Sequence, residues 1–210
     1  MKISPTTGPL DGQIETSIGI YVDPFNLAFE DIYLSDIVTA LSNKCRYGGH
    51  CSRFYSVAEH CVRMYNIIKE GKHSHIQEKL EELIPKRMKK EFLKACLLHD
   101  AYEAYIPDFP RPIKNKFNIK IKNKIYSVND LEETALRTIF QKFNITPKYV
   151  NHPLIKDIDS SMLIAEAKIL MGSAGAGWFK PVFNIDLGNI EPLINVGDKF
   201  IASFIDNSEL

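Results

Sequence analysis

The sequence predicts a mainly α-helical fold, a single-domain helical bundle preceded by a short extended N-terminal segment. The chain has 210 residues, which is enough for one substantial hydrophobic core. Apolar residues make up 45% and charged residues 25% of it, as in ordinary globular proteins. After about residue 31, apolar residues recur mostly at helical spacing. We expect one domain over residues 1–210, with a core at about 31–171 and a C-terminal helical extension at about 181–208.

The N-terminal part is expected to be extended. Residues 1–28 mix β-branched residues with Gly and Pro, and a short hairpin is predicted near residues 15–22. Helical periodicity begins at Asp31 and ends before Gly48-Gly49.

The later elements are predicted by helix-start signals and by periodicity. Ser56, with Glu59 three residues later, is a capping-box pattern that predicts a helix start. Residues 72–90 are charged, are broken by Pro85, and are expected to form an exposed helical excursion. Prolines after residue 106 predict a stiff turn that leads into a basic loop at residues 114–124. Helices are expected at about 56–69, 91–105, 129–143, 153–171 and 190–204.

Charge and cysteine content limit the possible partners and location. The 26 basic and 26 acidic residues balance, so neither nucleic acid nor an anionic membrane is an expected partner. No apolar run approaches the roughly 20 residues of a membrane span, and the N-terminus lacks a signal-peptide core, so we expect a cytoplasmic protein. Its cysteines are expected to be thiols, with Cys61 and Cys96 in the core. A zinc site of Cys45 and Cys51 with nearby histidines is a weaker alternative, since the spacing lacks paired ligands.

The pair His99-Asp100 is the most informative local feature. It ends an apolar helical run, so both side chains are expected to face a buried wall. A buried carboxylate requires a partner. A salt bridge or a helix cap would satisfy it, but an imidazole beside a carboxylate also suits a divalent metal.

Two more residues complete a predicted ligand set. His60 lies one turn into the helix that Ser56 caps, on its apolar side. Of the two downstream carboxylates, Asp159 lies nearer the apolar face of its helix than Asp157 does. The predicted metal ligands are therefore His60, His99, Asp100 and Asp159.

Further side chains suggest hydrolytic chemistry on a phosphate. Glu103, four residues after His99, is positioned to transfer protons beside the metal, and Asp108 is a second such carboxylate on stiff backbone. Arg46 and Lys114 are candidates for binding an anionic substrate, with Arg53 and Arg111 as alternatives.

These residues, in this order, resemble the HD-domain superfamily of metal-dependent phosphohydrolases. The resemblance extends from about Asp31 to Lys168 and is sharpest in YSVAEH, which ends at His60, and in HDAYEAYIPDFPRPIK, which begins at His99. These stretches are similar to the branch that contains bacterial 5′-deoxynucleotidases and phage dATP triphosphohydrolases.

The resemblance implies an α-helical fold, one divalent metal on the four predicted ligands, and catalytic roles for Glu103 and Asp108. It also implies that Arg46 contacts phosphate and that the next residue crowds the sugar against a 2′-hydroxyl. That next residue is tryptophan in deoxynucleotidases and Tyr47 in this chain.

The sequence therefore predicts an enzyme that hydrolyses the phosphate group of a small-molecule deoxyribonucleotide. Mixed histidine and carboxylate ligands suit Mn²⁺, Co²⁺, Zn²⁺ or Fe²⁺ better than Mg²⁺. A homo-oligomer is compatible with the apolar tail. Two alternatives stay open: a phosphodiesterase of the same superfamily acting on a cyclic or alarmone nucleotide, and a nucleotide-binding module without catalysis.

Overall fold

The computed structural model describes residues 12–107 and 109–206, and its mainly α-helical architecture confirms the predicted fold class. Its strands form two separate two-stranded hairpins. The α-helices are α1 (Leu34–Asn43), α2 (Val57–Glu70), α3 (Ser74–Leu83), α4 (Lys89–Leu97), α5 (Arg111–Lys114), α6 (Val128–Lys142), α7 (Pro153–Leu170) and α8 (Val196–Ile205).

The first hairpin lies where the sequence predicts it. Strand β1 (Ile14–Glu15) pairs antiparallel with β2 (Tyr21–Val22). The buried Asp36 of α1 accepts hydrogen bonds from the Ser17 hydroxyl at 2.5 Å and from the Ile18 amide at 3.0 Å. These bonds hold the extended segment against the helical core.

Helix α2 begins at the predicted cap. The Ser56 hydroxyl accepts a hydrogen bond from the Glu59 amide at 3.0 Å, which satisfies one of the free N–H groups of the first turn. The Glu59 side chain instead accepts hydrogen bonds from Arg53 and Arg63. This cap fixes the first turn of α2, which carries His60.

The charged segment after α2 contributes apolar side chains to the core, although most of its residues are exposed. Within it, α3 buries Ile76 and Leu80 completely, because these two residues are four apart and share one helix face. The prediction for residues 72–90 was therefore incomplete: α3 packs on the main core through a narrow apolar stripe.

Helix α4 ends before the His-Asp pair, so the predicted helix over 91–105 was wrong at its C-terminal end. The Leu98 amide makes the last i→i−4 hydrogen bond of this helix, and the chain then forms a 3₁₀ helix with i→i−3 bonds at Ala101–Ala104. His99 contributes to this stop, because its Nδ1 lies 2.7 Å from the carbonyl oxygen of Cys96 in the last turn. A side chain that donates to a carbonyl in the last turn takes the place of the backbone N–H that would continue the helix.

The segment predicted as a basic loop at 114–124 instead contains a second hairpin. Strand β3 (Asn118–Ile121) pairs antiparallel with β4 (Lys124–Ser127). Ile119 and Ile121 alternate with lysines and pack beside a small cluster centred on Ile106. The isoleucines recur at every second position, which is typical of a β-strand. The lysines between them made this pattern hard to recognise in the sequence.

The C-terminal helix α8 begins at Val196, later than the predicted start near residue 190. It packs on α1, α2 and α4, and its Phe200 is fully buried. Within residues 12–107 and 109–206, no helix combines the length and the apolarity needed to cross a membrane.

Candidate metal centre

Three separate parts of the chain bring the predicted ligands together. His60 comes from the first turn of α2, His99 and Asp100 from the turn after α4, and Asp159 from the second turn of α7. Helix α2 packs against both α4 and α7, so the three segments meet at one end of the core.

The distances between the donor atoms fit one cation. The Nε2 atoms of His60 and His99 are 3.2 Å apart, and Asp159 Oδ1 lies 3.2 Å from the first and 3.7 Å from the second. Asp100 Oδ2 lies 3.3 Å from His99 Nε2 and 3.9 Å from His60 Nε2. Ligands about 2.1 Å from a cation are about 3.0 Å apart at right angles and about 3.4 Å apart at tetrahedral angles. His60, His99 and Asp159 lie close enough to one another to share a divalent metal, and Asp100 lies within 4 Å of both imidazole nitrogens.

Both imidazoles are held with Nε2 facing this point. His99 Nδ1 lies 2.7 Å from the Cys96 carbonyl oxygen, and His60 Nδ1 lies 2.6 Å from Glu166 Oε1. A carbonyl accepts only, so His99 donates from Nδ1 and leaves the Nε2 lone pair free in its neutral form. Such outer hydrogen bonds are typical of metal-binding histidines.

Burial and neighbouring charges act in opposite directions on the pKa values of the predicted ligands. Burial acts to lower the pKa of His99, but the neighbouring Asp100 raises it well above its usual range. Burial acts to raise the pKa of Asp100, yet His99 lowers it to about 2. The pKa of Asp159 is likewise held well below normal by hydrogen bonds from both imidazoles, against the effect of burial.

The pKa of His60 is also set by opposing effects. Burial and the Arg46 charge act to lower the pKa of His60, but Glu166 and Asp159 raise it overall. The buried carboxylates around the two imidazoles therefore favour positive charge at this point, whether a proton or a cation carries it.

Glu166 is a site residue that sequence reasoning missed. It is fully buried and lies seven residues, about two turns, after Asp159 on α7, so both face the same side. A carboxylate inside the apolar run IAEAKIL was the available signal, because a buried charge needs partners.

Arg46 and Tyr47 lie next to the ligands, in a tight turn. Tyr47 and Gly48 both have positive φ angles, of 57° and 59°, which only a turn with small or specially held residues adopts readily. Arg46 is buried, with Nη1 3.3 Å from Asp100 Oδ2 and Nε 3.3 Å from Glu166 Oε2. The Tyr47 hydroxyl donates to the Leu163 carbonyl at 3.1 Å and lies 3.2 Å from Glu166.

A cavity of about 640 Å³ opens beside the metal ligands. His99, Asp100 and Asp159 line one part of it, and Lys114 and Lys156 provide cations. The remaining lining combines the polar side chains of Asn115, Asn129, Glu132, Glu133, Asn151 and Ser160 with Tyr102, Leu136, Val150 and Ile155. Its size suits a small-molecule ligand.

The other predicted residues are placed as follows. Lys114 forms an ion pair with Glu132 at 2.8 Å. Glu103 is buried in the 3₁₀ helix directly after Asp100, outside the residues that line this cavity. Asp108 lies outside the described residues.

Two groups of side chains among the described residues are close enough to hold a metal ion: His60, His99 and Asp159, and Cys61, His99 and Asp100. Cys45 and Cys51 belong to neither group, although their sulfur atoms are 3.5 Å apart. Cys61 and Cys96 are both buried, as predicted.

Two comparisons agree with this site. The HD domain family matches residues 57–169, which include all four predicted ligands and Glu166. The uncharacterized protein YfdR of Escherichia coli (strain K12) is 32% identical over 196 residues, covering 90% of this chain and 91% of that protein. The chain therefore belongs to the HD-domain family, whose members are generally metal-dependent hydrolases.

Proposed function

We propose that this protein hydrolyses the phosphate group of a deoxyribonucleotide, using one divalent cation held by His60, His99, Asp100 and Asp159. The observation that carries the proposal is the convergence of these donors, with both carboxylates 3.2 to 3.9 Å from the imidazole nitrogens, beside a cavity of about 640 Å³. The choice of a deoxyribonucleotide rests on the sequence resemblance around Arg46 and Glu103.

The donor set favours particular cations. Two imidazole nitrogens with two carboxylates suit Mn²⁺, Co²⁺, Zn²⁺ or Fe²⁺, whereas Mg²⁺ prefers an all-oxygen shell. When bound, such a cation supplies Lewis acidity toward water and toward a phosphoryl oxygen.

The surrounding side chains would orient the substrate and stabilise its charge. Lys114 lies at the cavity wall, where Glu132 and the ring of Tyr102 (5.9 Å from Nζ) restrict its position. A fixed cation there can stabilise negative charge on phosphate oxygens. Arg46 lies behind Asp100 and places a second positive charge next to the ligands.

Proton transfer is assigned to Glu103 and Asp108. Glu103 is buried three residues after the ligand Asp100, in the 3₁₀ helix that follows the ligand turn. Both assignments rest on the position of these carboxylates in the sequence and on the resemblance, and the substitution Glu103→Ala tests the first.

The test is product analysis on a matched panel of nucleotides. Metal-stripped protein is supplied with Mn²⁺, Co²⁺, Zn²⁺ or Mg²⁺ and incubated with deoxynucleoside and ribonucleoside mono- and triphosphates. We expect hydrolysis of deoxyribonucleotides, giving a deoxynucleoside with either phosphate or intact triphosphate. A preference over the ribonucleotides that is lost in Tyr47→Ala would indicate that Tyr47 excludes the 2′-hydroxyl.

Two results would contradict the proposal. The first is no hydrolysis of any nucleotide with any of the four cations. The second is hydrolysis restricted to cyclic or alarmone nucleotides with two cations per chain, which is the behaviour of the phosphodiesterase alternative.

A further inference from the structure

We propose that Glu166 is a positioning residue that holds the imidazole of His60 with Nε2 facing the cation. This inference rests on the cation site of the proposed function and assigns a role to a residue outside the predicted ligand set. Glu166 is fully buried, and it contacts His60 from the side opposite the other ligands, through Nδ1 at 2.6 Å.

The Glu166 carboxylate is itself fixed by side chains from other segments. Its Oε1 accepts a hydrogen bond from the Tyr55 hydroxyl at 2.9 Å, in addition to its contact with His60. Its Oε2 lies 3.2 Å from the Tyr47 hydroxyl and 3.3 Å from Arg46 Nε. With both oxygens engaged, the carboxylate has little freedom to rotate, and it therefore transmits a fixed orientation to the ring.

The chemistry of imidazole explains why an acceptor at Nδ1 matters. A neutral histidine carries its proton on either nitrogen, and only the nitrogen without the proton binds a metal. A carboxylate at Nδ1 stabilises the Nδ1–H form and makes Nε2 more basic. Glu166 thus selects the form of His60 that can act as a ligand.

Balancing the charge of Arg46 does not by itself account for this placement. Arg46 also pairs with Asp100 at 3.3 Å, and the closest charged contact of Glu166 is with His60 rather than with Arg46. Glu59 provides a natural comparison, since it is a buried carboxylate next to His60 in sequence. Its partners are Arg53 at 2.8 Å and Arg63 at 2.7 Å.

The first test compares cation affinity in matched variants. Mn²⁺ binding to metal-stripped protein is measured by calorimetry for wild type, Glu166→Gln and Glu59→Gln, after thermal melting has shown that each is folded. We expect Glu166→Gln to weaken Mn²⁺ binding about 10- to 100-fold. Glu59→Gln is expected to leave the Mn²⁺ affinity within about twofold of wild type, because the Glu59 carboxylate pairs with Arg53 and Arg63 rather than with a metal ligand. A twofold change is smaller than the loss expected when the hydrogen-bond partner of a metal ligand is removed. An unchanged affinity in folded Glu166→Gln would overturn the proposal.

The second test uses no substitution at Glu166, so it remains decisive if Glu166→Gln does not fold. Zn²⁺ is diamagnetic and allows ¹⁵N NMR of the histidine rings in the loaded protein, with His60→Gln used to assign the signals. We expect the Nδ1 proton of His60 to exchange slowly with solvent and to be strongly deshielded, because it is hydrogen-bonded to the buried Glu166 carboxylate. An Nδ1 proton of His60 that exchanges fast and lacks this deshielding would refute the proposal.

These measurements separate the two proposals. Neither uses a nucleotide, so a protein that shows the expected Glu166 effects but hydrolyses no nucleotide would disprove only the proposed function. Normal hydrolysis by a folded Glu166→Gln protein with wild-type Mn²⁺ affinity would disprove only the role of Glu166.

Discussion

Replacing Asp159 by Asn tests the candidate metal centre most directly. The substitution preserves the size of the side chain but removes the negative charge that faces both imidazoles, 3.2 Å from His60 Nε2 and 3.7 Å from His99 Nε2. The same change at Asp157, on the same helix but two residues earlier, is the matched control, because Asp157 belongs to neither potential metal-binding group among the described residues.

The expected magnitude follows from the charge that is removed. Taking away one partner of a buried ion pair costs about 3–5 kcal/mol. At about 1.4 kcal/mol for each factor of ten, this corresponds to a loss of about 100- to 5,000-fold in cation affinity. The substitution also removes the attraction between Asp159 and the two imidazoles in the metal-free protein. Because both the metal-bound and the metal-free states are destabilised, part of the expected loss of affinity cancels. We therefore expect a loss near the lower end, about 100-fold.

The assay is calorimetric titration of metal-stripped protein with Mn²⁺. Asp157→Asn is expected to bind like wild type, whereas Asp159→Asn is expected to bind about 100-fold more weakly. If the two variants lost affinity equally, or if Asp159→Asn bound Mn²⁺ like wild type, Asp159 would not be a ligand and the donor set would have to be reassigned.

Three other predictions concern proton transfer, pH and folding. His99→Ala is expected to abolish both cation binding and hydrolysis, whereas Glu103→Ala should keep the cation and lose turnover; undiminished turnover in Glu103→Ala would disprove its role. The raised pKa values of His60 and His99 stabilise the metal-free fold below the unfolded value of about 6.5, and this contribution is lost as pH rises through the folded values. Because a cation needs neutral imidazoles, its affinity should rise with pH, so the gain in Tm on adding Mn²⁺ should widen between about pH 6 and pH 8. A constant gain across that range would contradict the raised pKa values of the two imidazoles. Ser56→Ala removes the cap of α2 and should lower the free energy of unfolding by about 1 kcal/mol, measured by urea denaturation.

Local patterns in the sequence were sufficient for much of the fold. Periodicity placed α6 and α7 within one residue of their observed ends, and the Ser56 signal placed the start of α2. The failures were also local in origin. The hairpin of β3 and β4 alternates isoleucine with lysine over only four residues in its first strand, so its charge obscured its periodicity.

The end of α4 was missed for a different reason. His99 stops that helix by turning its ring back onto the Cys96 carbonyl, at 2.7 Å. The apolar run continues past this point in the sequence, so periodicity alone predicted a longer helix. A side chain that caps a helix and also faces a metal site leaves no separate signal in a hydrophobic pattern.

The residue types and their order along the chain determined by themselves that helices would form and that His60, His99, Asp100 and Asp159 could share a cation. Only the tertiary structure decided which further groups surround them. Glu166 meets Arg46, Tyr47 and Tyr55 across more than 100 positions of sequence, and these contacts depend on how α7 packs beside the turn before α2. Helical periodicity reports which face of a helix is buried, because burial depends on neighbours along the same helix. It does not report which distant side chain lies opposite that face, since the packing of the whole chain determines that partner.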